Sequence, residues 1–281
     1  MVSKSESINI QICSDLHIEF HASYADIPKD IIVPASPILA LLGDIGLPFQ
    51  VDDQGIRVYE QFLLDQAERF EKVFVIAGNH EYYSSENTMD EIKEEIYRIC
   101  NLKPDILYFL DNSSIVLNDI RFTGSTLWSF IPPEDYNFIK NSYKGFRLIN
   151  KKKIVDEIET NNKLITVVPE DITKIHTEAV EFIKFEIEKF KENKEKAIIL
   201  LTHHAPTYQN VVAKEDPVTS VDATNLEYLY CKGMFWFFGH THFNSKQVIN
   251  EAVIISNQRG YYKNRLVDDY MNNLVINLAE S

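Results

Sequence analysis

Apolar residues along the chain fall into two patterns. Residues 8–13, 37–42, 73–76, 197–201 and 234–238 are short, nearly continuous apolar runs. Runs of that length and density predict strands buried on both faces, as in a sheet covered by helices. Residues 106–110, 114–117 and 120–123 predict a strand followed by a hairpin that turns at Asn118 and Asp119. Residues 252–255 and 274–278 predict late strands. Helical spacing governs three other segments. Phe62, Leu63, Ala67 and Phe70 share a face over 59–70, and Ile92, Ile96 and Ile99 share one over 89–100. Over 173–191 the stripe is Ile175, Ala179, Phe182, Ile183 and Phe190, with Glu181, Lys184, Glu188 and Lys191 on a solvated face. His176 lies on this last helix and is expected at its surface. Strands alternating with helices predict an α/β layered fold.

No internal repeat and no linker rich in Pro, Gly or Ser divides the chain, so residues 1–281 are expected to form one domain. Residues 128–168 are polar, aromatic and irregular. They are expected as an insertion over one end of the sheet, with Trp128, Tyr136, Phe138 and Tyr143 serving its packing.

Composition narrows the function. Lys and Arg number 28 against 42 Asp and Glu, a formal charge of −14. That balance argues against nucleic-acid and anionic-membrane partners, which need a net attraction for polyanions. The apolar runs are too short to span a bilayer, and residues 1–6 carry no signal segment. Cys13, Cys100 and Cys231 are an odd, irregularly spaced set, which suits reduced thiols and a cytoplasmic setting.

The residues with chemical capability lie just beyond the buried strands. Ser14-Asp15-Leu16-His17 succeeds the first, Gly43-Asp44-Ile45-Gly46 the second and Ala77-Gly78-Asn79-His80-Glu81 the third. Thr202-His203-His204 succeeds the run at 197–201, and Gly239-His240-Thr241-His242 succeeds that at 234–238. Ligands of α/β sheets bind at the carboxyl ends of strands. If the segments stay extended, Asp15 and His17 point the same way, as do His240 and His242. Imidazole with carboxylate suits divalent zinc, manganese, iron or nickel. Asp15, His17, Asp44, Asn79, His203, His240 and His242 are too many donors for one tetrahedral ion. They suit two ions sharing a carboxylate and a water. Gly43, Gly78 and Gly239 stand where close backbone approach is expected.

Taken in order, these motifs resemble the calcineurin-like metallophosphoesterases: Asp-x-His, Gly-Asp, Gly-Asn-His-Glu, His and Gly-His-x-His. The resemblance runs from the first strand to His242. The stretch Ser256-Asn257-Gln258-Arg259-Gly260-Tyr261 also resembles small members of the family. One departure is Leu47, where the second motif often carries Asp or Arg. The resemblance implies a four-layer αββα sandwich of two mixed β-sheets flanked by helices. It implies one ion held by Asp15, His17, Asp44 and His242, and another by Asp44, Asn79, His203 and His240, with Asp44 bridging. His203 and His204 compete for one place, because adjacent extended residues face opposite ways, and the family pattern favours His203.

The expected reaction is hydrolysis of a small phosphomonoester or phosphodiester by a hydroxide between two divalent ions. Asn79 and His80 are the expected catalytic residues, with His80 as general acid or electrostatic stabiliser. Glu81 is a candidate to hold the His80 ring or to serve structure alone. Arg259 is a candidate phosphate ligand through its planar guanidinium, or else a surface ion pair. Tyr82 and Tyr83 could flank the substrate, and His21 is expected in solvent or at the substrate mouth. A Ser/Thr protein phosphatase is an alternative, as is a catalytically inactive scaffold. Eroded ligands would mark the scaffold, and none of the set is eroded.

Overall fold

A computed structural model describes residues 8–155, 158–209, 219–262 and 265–278. The elements run β1 (Asn9–Cys13), β2 (Ile38–Leu42), α1 (Val58–Ala67), β3 (Lys72–Ile76), α2 (Met89–Cys100) and β4 (Leu107–Phe109). Then come β5 (Ser113–Leu117), β6 (Ile120–Ser125), α3 (Tyr136–Ser142), β7 (Asn150–Val155), β8 (Ile158–Thr166) and α4 (Pro169–Asn193). The remainder is β9 (Ala197–Thr202), α5 (Thr219–Asp222), β10 (Met234–Phe238), β11 (Lys246–Ile249), β12 (Ala252–Ser256), β13 (Gly260–Tyr261), β14 (Arg265–Leu266) and β15 (Val275–Asn277).

Two mixed sheets form the centre. The first has the order β15-β1-β2-β3-β4, parallel except for β15. The second has the order β11-β12-β10-β9-β6-β5, with antiparallel strands at its two edges. Strand alternation sends neighbouring residues to opposite faces. Ala40, Leu42, Phe74 and Ile76 of the first sheet therefore meet Phe122, Ile199, Leu201 and Phe237 of the second in the layer between the sheets. Leu39, Leu41, Val73 and Val75 point the other way, onto Phe62, Leu63, Ile92 and Ile96 of α1 and α2. Leu200, Trp236 and Phe238 point outward to Ala179, Ile183, Ile187 and Phe190 of α4. This is the expected four-layer α/β sandwich. It explains why the strand sequences lack polar alternation, since both of their faces are covered. Each fully buried large side chain is worth roughly 1.5–3 kcal/mol against exposure.

The hairpin turn forms as expected, with φ of 53° at Asn118 and 63° at Asp119. In the capping box that opens α2, the Glu91 N–H donates to Thr88 Oγ1 while the Thr88 N–H donates to Glu91 Oε2. Two expectations change. The 128–168 segment is not irregular: it contains α3 and the antiparallel hairpin β7–β8. Those strands are rich in Lys, Asn and Thr, so no apolar period announced them. His176 is buried rather than at the surface, because it continues the stripe of Ile172, Ala179 and Ile183. Its Nδ1 lies 3.1 Å from the Leu127 carbonyl.

Candidate metal centre

The loops after β1, β2, β3, β9 and β10 meet at one edge of the sandwich. Asp44, after β2, is the hub. Its Oδ1 accepts the His80 backbone N–H at 2.8 Å and lies 3.3 Å from His203 Nε2. Its Oδ2 lies 3.9 Å from His17 Nε2 and 3.9 Å from His80 Nε2. On one side of it stand Asp15, His17 and His242, and on the other His203 and His240. His242 Nε2 is 3.3 Å from Asp15 Oδ1 and 3.2 Å from His17 Nε2. Asn79 Oδ1 is 3.1 Å from His203 Nε2. The seven donors expected from sequence are brought together.

How they converge differs from the expectation. Asp15, His17, Asp44, His240 and His242 are not extended: their φ values are 54°, 48°, 51°, 72° and 49°. Left-handed turns, not strand alternation, aim these side chains. L-residues held there cost about 1–3 kcal/mol each, a strain that clusters at functional sites. Close approach finishes the assembly. A methyl group at Gly78 would meet Asp44 Oδ1, the Asp44 backbone N at 2.5 Å and His203 Cε1 at 2.7 Å. Only glycine lets the second and third loops touch.

Hydrogen bonds fix the ring tautomers. His203 Nδ1 donates to the Leu42 carbonyl at 2.8 Å, which turns Nε2 toward Asp44. His204 Nδ1 pairs with the Thr126 carbonyl, and its ring lies against Trp128 and His240. Of the two neighbours, His203 is the one beside Asp44 and Asn79. Burial, His240 and His203 all push the His204 imidazole well below its ordinary pKa.

Of the two roles open to Glu81 it has the structural one, and Glu19 holds the His80 ring. Glu19 Oε1 lies 3.0 Å from both His17 Nδ1 and His80 Nδ1, which turns the two Nε2 atoms toward Asp44. Glu81 instead accepts the backbone N–H groups of Asp44 at 2.9 Å, Ile45 at 2.7 Å and Gly78 at 2.7 Å. It ties two motif loops together. Burial and the neighbouring Asp44 raise its pKa to about 7, against the pull of those N–H groups.

Burial also opposes charge on Asp44, yet His203, His80 and His17 hold its carboxyl well below the usual range. Burial lowers the His203 pKa, but Asp44 and Asp15 outweigh it and raise it to about 9. For His80, Asp44 and Glu19 outweigh burial and favour the imidazolium.

Two further residues at the site have no role assigned from the sequence, although Tyr261 ends the stretch that resembles small members of the family. Tyr261 stacks on His17 at 4.3 Å between ring centroids, and its hydroxyl is 3.4 Å from His80 Nε2. Asp222 Oδ1 is 3.2 Å from His240 Nε2. Tyr83 also reaches the site: its OH accepts from Asn79 Nδ2 at 2.8 Å, and its ring lies 4.4 Å from that of His80. Tyr82 is fully buried. Arg259 is buried too, and its Nη1 donates to the Leu16 carbonyl at 3.1 Å, bracing the loop that carries Asp15 and His17. It is not in a surface ion pair. His21 is 5% exposed, with its ring 4.3 Å from that of Tyr262, so it is not in solvent.

The donor set fits divalent cations. His17 Nε2 and His242 Nε2 face one another at 3.2 Å, and His240 Nε2 is buried with only the Asp222 carboxylate, 3.2 Å away, beside it. Such nitrogens need a proton or a cation between them.

Comparison with known proteins agrees. A model of the calcineurin-like phosphoesterases matches residues 8–244. Protein L509 of Acanthamoeba polyphaga mimivirus, described as uncharacterised, is 31% identical over 281 residues, covering 91% of this chain and 92% of its own. Among solved structures, the phosphopantetheinyl hydrolase of Mycobacterium tuberculosis superposes with a TM-score of 0.61 at 16% identity. That match covers 91% of this chain and 90% of the other, and it shows a shared fold. With its motif loops converging on Asp44 and 8–244 matched, the chain belongs to the calcineurin-like phosphoesterase family, whose members are metal-dependent phosphoester hydrolases.

Proposed function

We propose that this protein is a dinuclear metal-dependent hydrolase of small phosphate esters. The observation that carries the reading is Asp44, a carboxylate with one clustered donor set on each side and His80 at its rim. Asp15, His17, Asp44 and His242 would hold one divalent ion, and Asp44, Asn79, His203 and His240 the other. When bound, such ions lower the pKa of a coordinated water toward neutrality and offset charge on phosphoryl oxygens. The chain itself supplies orientation and proton handling. Glu19 holds His80 through Nδ1, so that Nε2 is the atom offered to a leaving alkoxide. Tyr83 fixes the Asn79 amide, so that its Oδ1 faces His203. Buried carboxylates at the hub and a net charge of −14 suit a small ester better than a long polyanion.

Metal analysis of the purified protein, with parallel assays on an aryl phosphate and a bis-aryl phosphate in added manganese, tests this. Bound divalent metal and turnover of at least one ester are expected. Asn79→Ala and His80→Ala should each lose about 10²–10⁴-fold in turnover while circular dichroism stays unchanged. A protein without metal that hydrolyses neither ester overturns the reading, as do near wild-type rates in both variants.

A further inference from the structure

Next to the candidate metal centre a cleft of about 390 Å³ opens between the loop after β2 and the loop after β3. That is the size of a small-molecule subsite. Leu47, Pro48, Phe49 and Gln50 line it from the first loop, and Tyr83, Ser84, Asn87 and Ile92 from the second loop and α2. Tyr83 and Gln50 connect it to the metal centre. Tyr83 lies directly against the ring of the proposed proton donor His80, and Gln50 reaches it through Glu19: Gln50 Nε2 donates to the Glu19 carbonyl, and the Glu19 carboxylate holds His80. A group leaving toward His80 has this cleft beside it.

The walls say what kind of group fits. Among the described residues neither Lys nor Arg lines the cleft, and Glu81 and Glu86 bring carboxylates to it. An anionic tail would find no counter-charge there and two acidic neighbours. Leu47 keeps this wall apolar. One polar atom is unused: Gln50 Oε1 is buried and accepts no hydrogen bond among the described residues. A buried amide oxygen without a donor costs free energy that a ligand N–H or O–H would recover.

We infer that the cleft binds the leaving group of the substrate, and that this group is an uncharged, partly apolar alcohol carrying an N–H or O–H donor for Gln50. The inference rests on the phosphoesterase reading and adds the substrate class to it. The same walls disfavour a leaving group that carries a phosphate or a carboxylate.

The test uses manganese-loaded full-length protein and three series of phosphate esters of matched chain length. These are ω-acetamidoalkyl, plain alkyl and ω-carboxyalkyl phosphates. The acetamidoalkyl esters are expected to exceed both others by at least tenfold in kcat/KM at their best length. Leu47→Lys is expected to reverse the order between acetamide and carboxylate esters, and Gln50→Leu to remove the advantage of acetamide over plain alkyl. Calorimetric binding of the corresponding non-hydrolysable phosphonates is read in parallel, so affinity is measured without turnover. Hydrolysis of all three series at equal kcat/KM overturns the cleft assignment and leaves the phosphoesterase reading standing. No hydrolysis of any series, nor of the aryl and bis-aryl phosphates, overturns the phosphoesterase reading. Phosphonates of the three series that bind equally, or a Leu47→Lys variant that still prefers the acetamide, overturn the cleft assignment whether or not any ester is cleaved.

Discussion

Glu19 shows how much of a site can rest on a residue that touches no ligand position by sequence. One carboxylate oxygen serves two imidazoles, His17 and His80. Burial would raise its pKa, yet the two rings hold it below the ordinary glutamate value. Glu19→Gln keeps the size and loses the charge, so both rings lose their common anchor. Turnover should fall by about 10–100-fold with the melting temperature near wild type; an unchanged kcat would remove Glu19 from the supporting network. At the same scale, His176 links stability to pH. Burial holds its imidazole down to about 4, against the Leu127 and Trp128 carbonyls. Between about 6.5 and 4 the unfolded chain therefore binds a proton that the folded chain refuses. The contribution is complete above pH 6.5 and is lost as pH falls toward 4, by about 3 kcal/mol. Denaturant titrations of wild type and His176→Gln should converge or cross as pH drops through that window, and a constant difference between them would refute the linkage. The motif residues were legible one by one because each comes directly after a strand. Asp222 and Tyr261 were not, because neither directly follows a buried strand, and Glu19, though only two residues past His17, was passed over because its role depends on His80, 61 residues further along the chain.

Strands were the most legible elements. β1, β2, β3, β9 and β10 are buried on both faces, and continuous apolar runs are what that environment selects. The hairpin β7–β8 escaped because its strands are polar. It is pinned through backbone instead: Tyr83 bridges Ile149, Thr88 bridges Asn150, and Asn150 Nδ2 donates to the Ser84 carbonyl at 2.6 Å. Gly145 completes that contact, since a methyl group there would lie 2.7 Å from Tyr83 OH. The segment 128–168 thus touches the same tyrosine that holds Asn79. Where elements meet, the tolerance is smallest at Gly78. Gly78→Ala should overpack the junction of the β2 and β3 loops at a cost of about 1–3 kcal/mol. Metal titration of the variant should also show weaker binding, because the added carbon displaces Asp44 or His203. Wild-type affinity together with wild-type stability would mean that the two loops have room to separate.

For the whole molecule, metal and fold are coupled by mass action. The centre gathers Asp15, Asp44 and four imidazoles from strands at opposite ends of the sequence. An ion bound a hundredfold above its Kd adds about 2.7 kcal/mol of stability. Chelation should therefore lower the melting temperature by several degrees, and re-addition of manganese should restore it. A melting curve indifferent to both would show that the cluster holds no ion. The net charge also reads differently at this scale. Among the described residues no helix is long and apolar enough to cross a membrane, and the acidic surface surrounds a pocket whose own carboxylates face imidazoles. The left-handed turns at Asp15, His17, Asp44, His240 and His242 carry one more consequence. Shape and chemistry pull these five backbones in opposite directions, so a substitution that discards a ligand also relaxes the chain. In chelator, His242→Asn should melt no lower than wild type, and a drop of several degrees would contradict the strain. Inheritance in such a molecule is lopsided. A descendant that sheds its metals forfeits their binding energy but recovers part of it as the five turns relax.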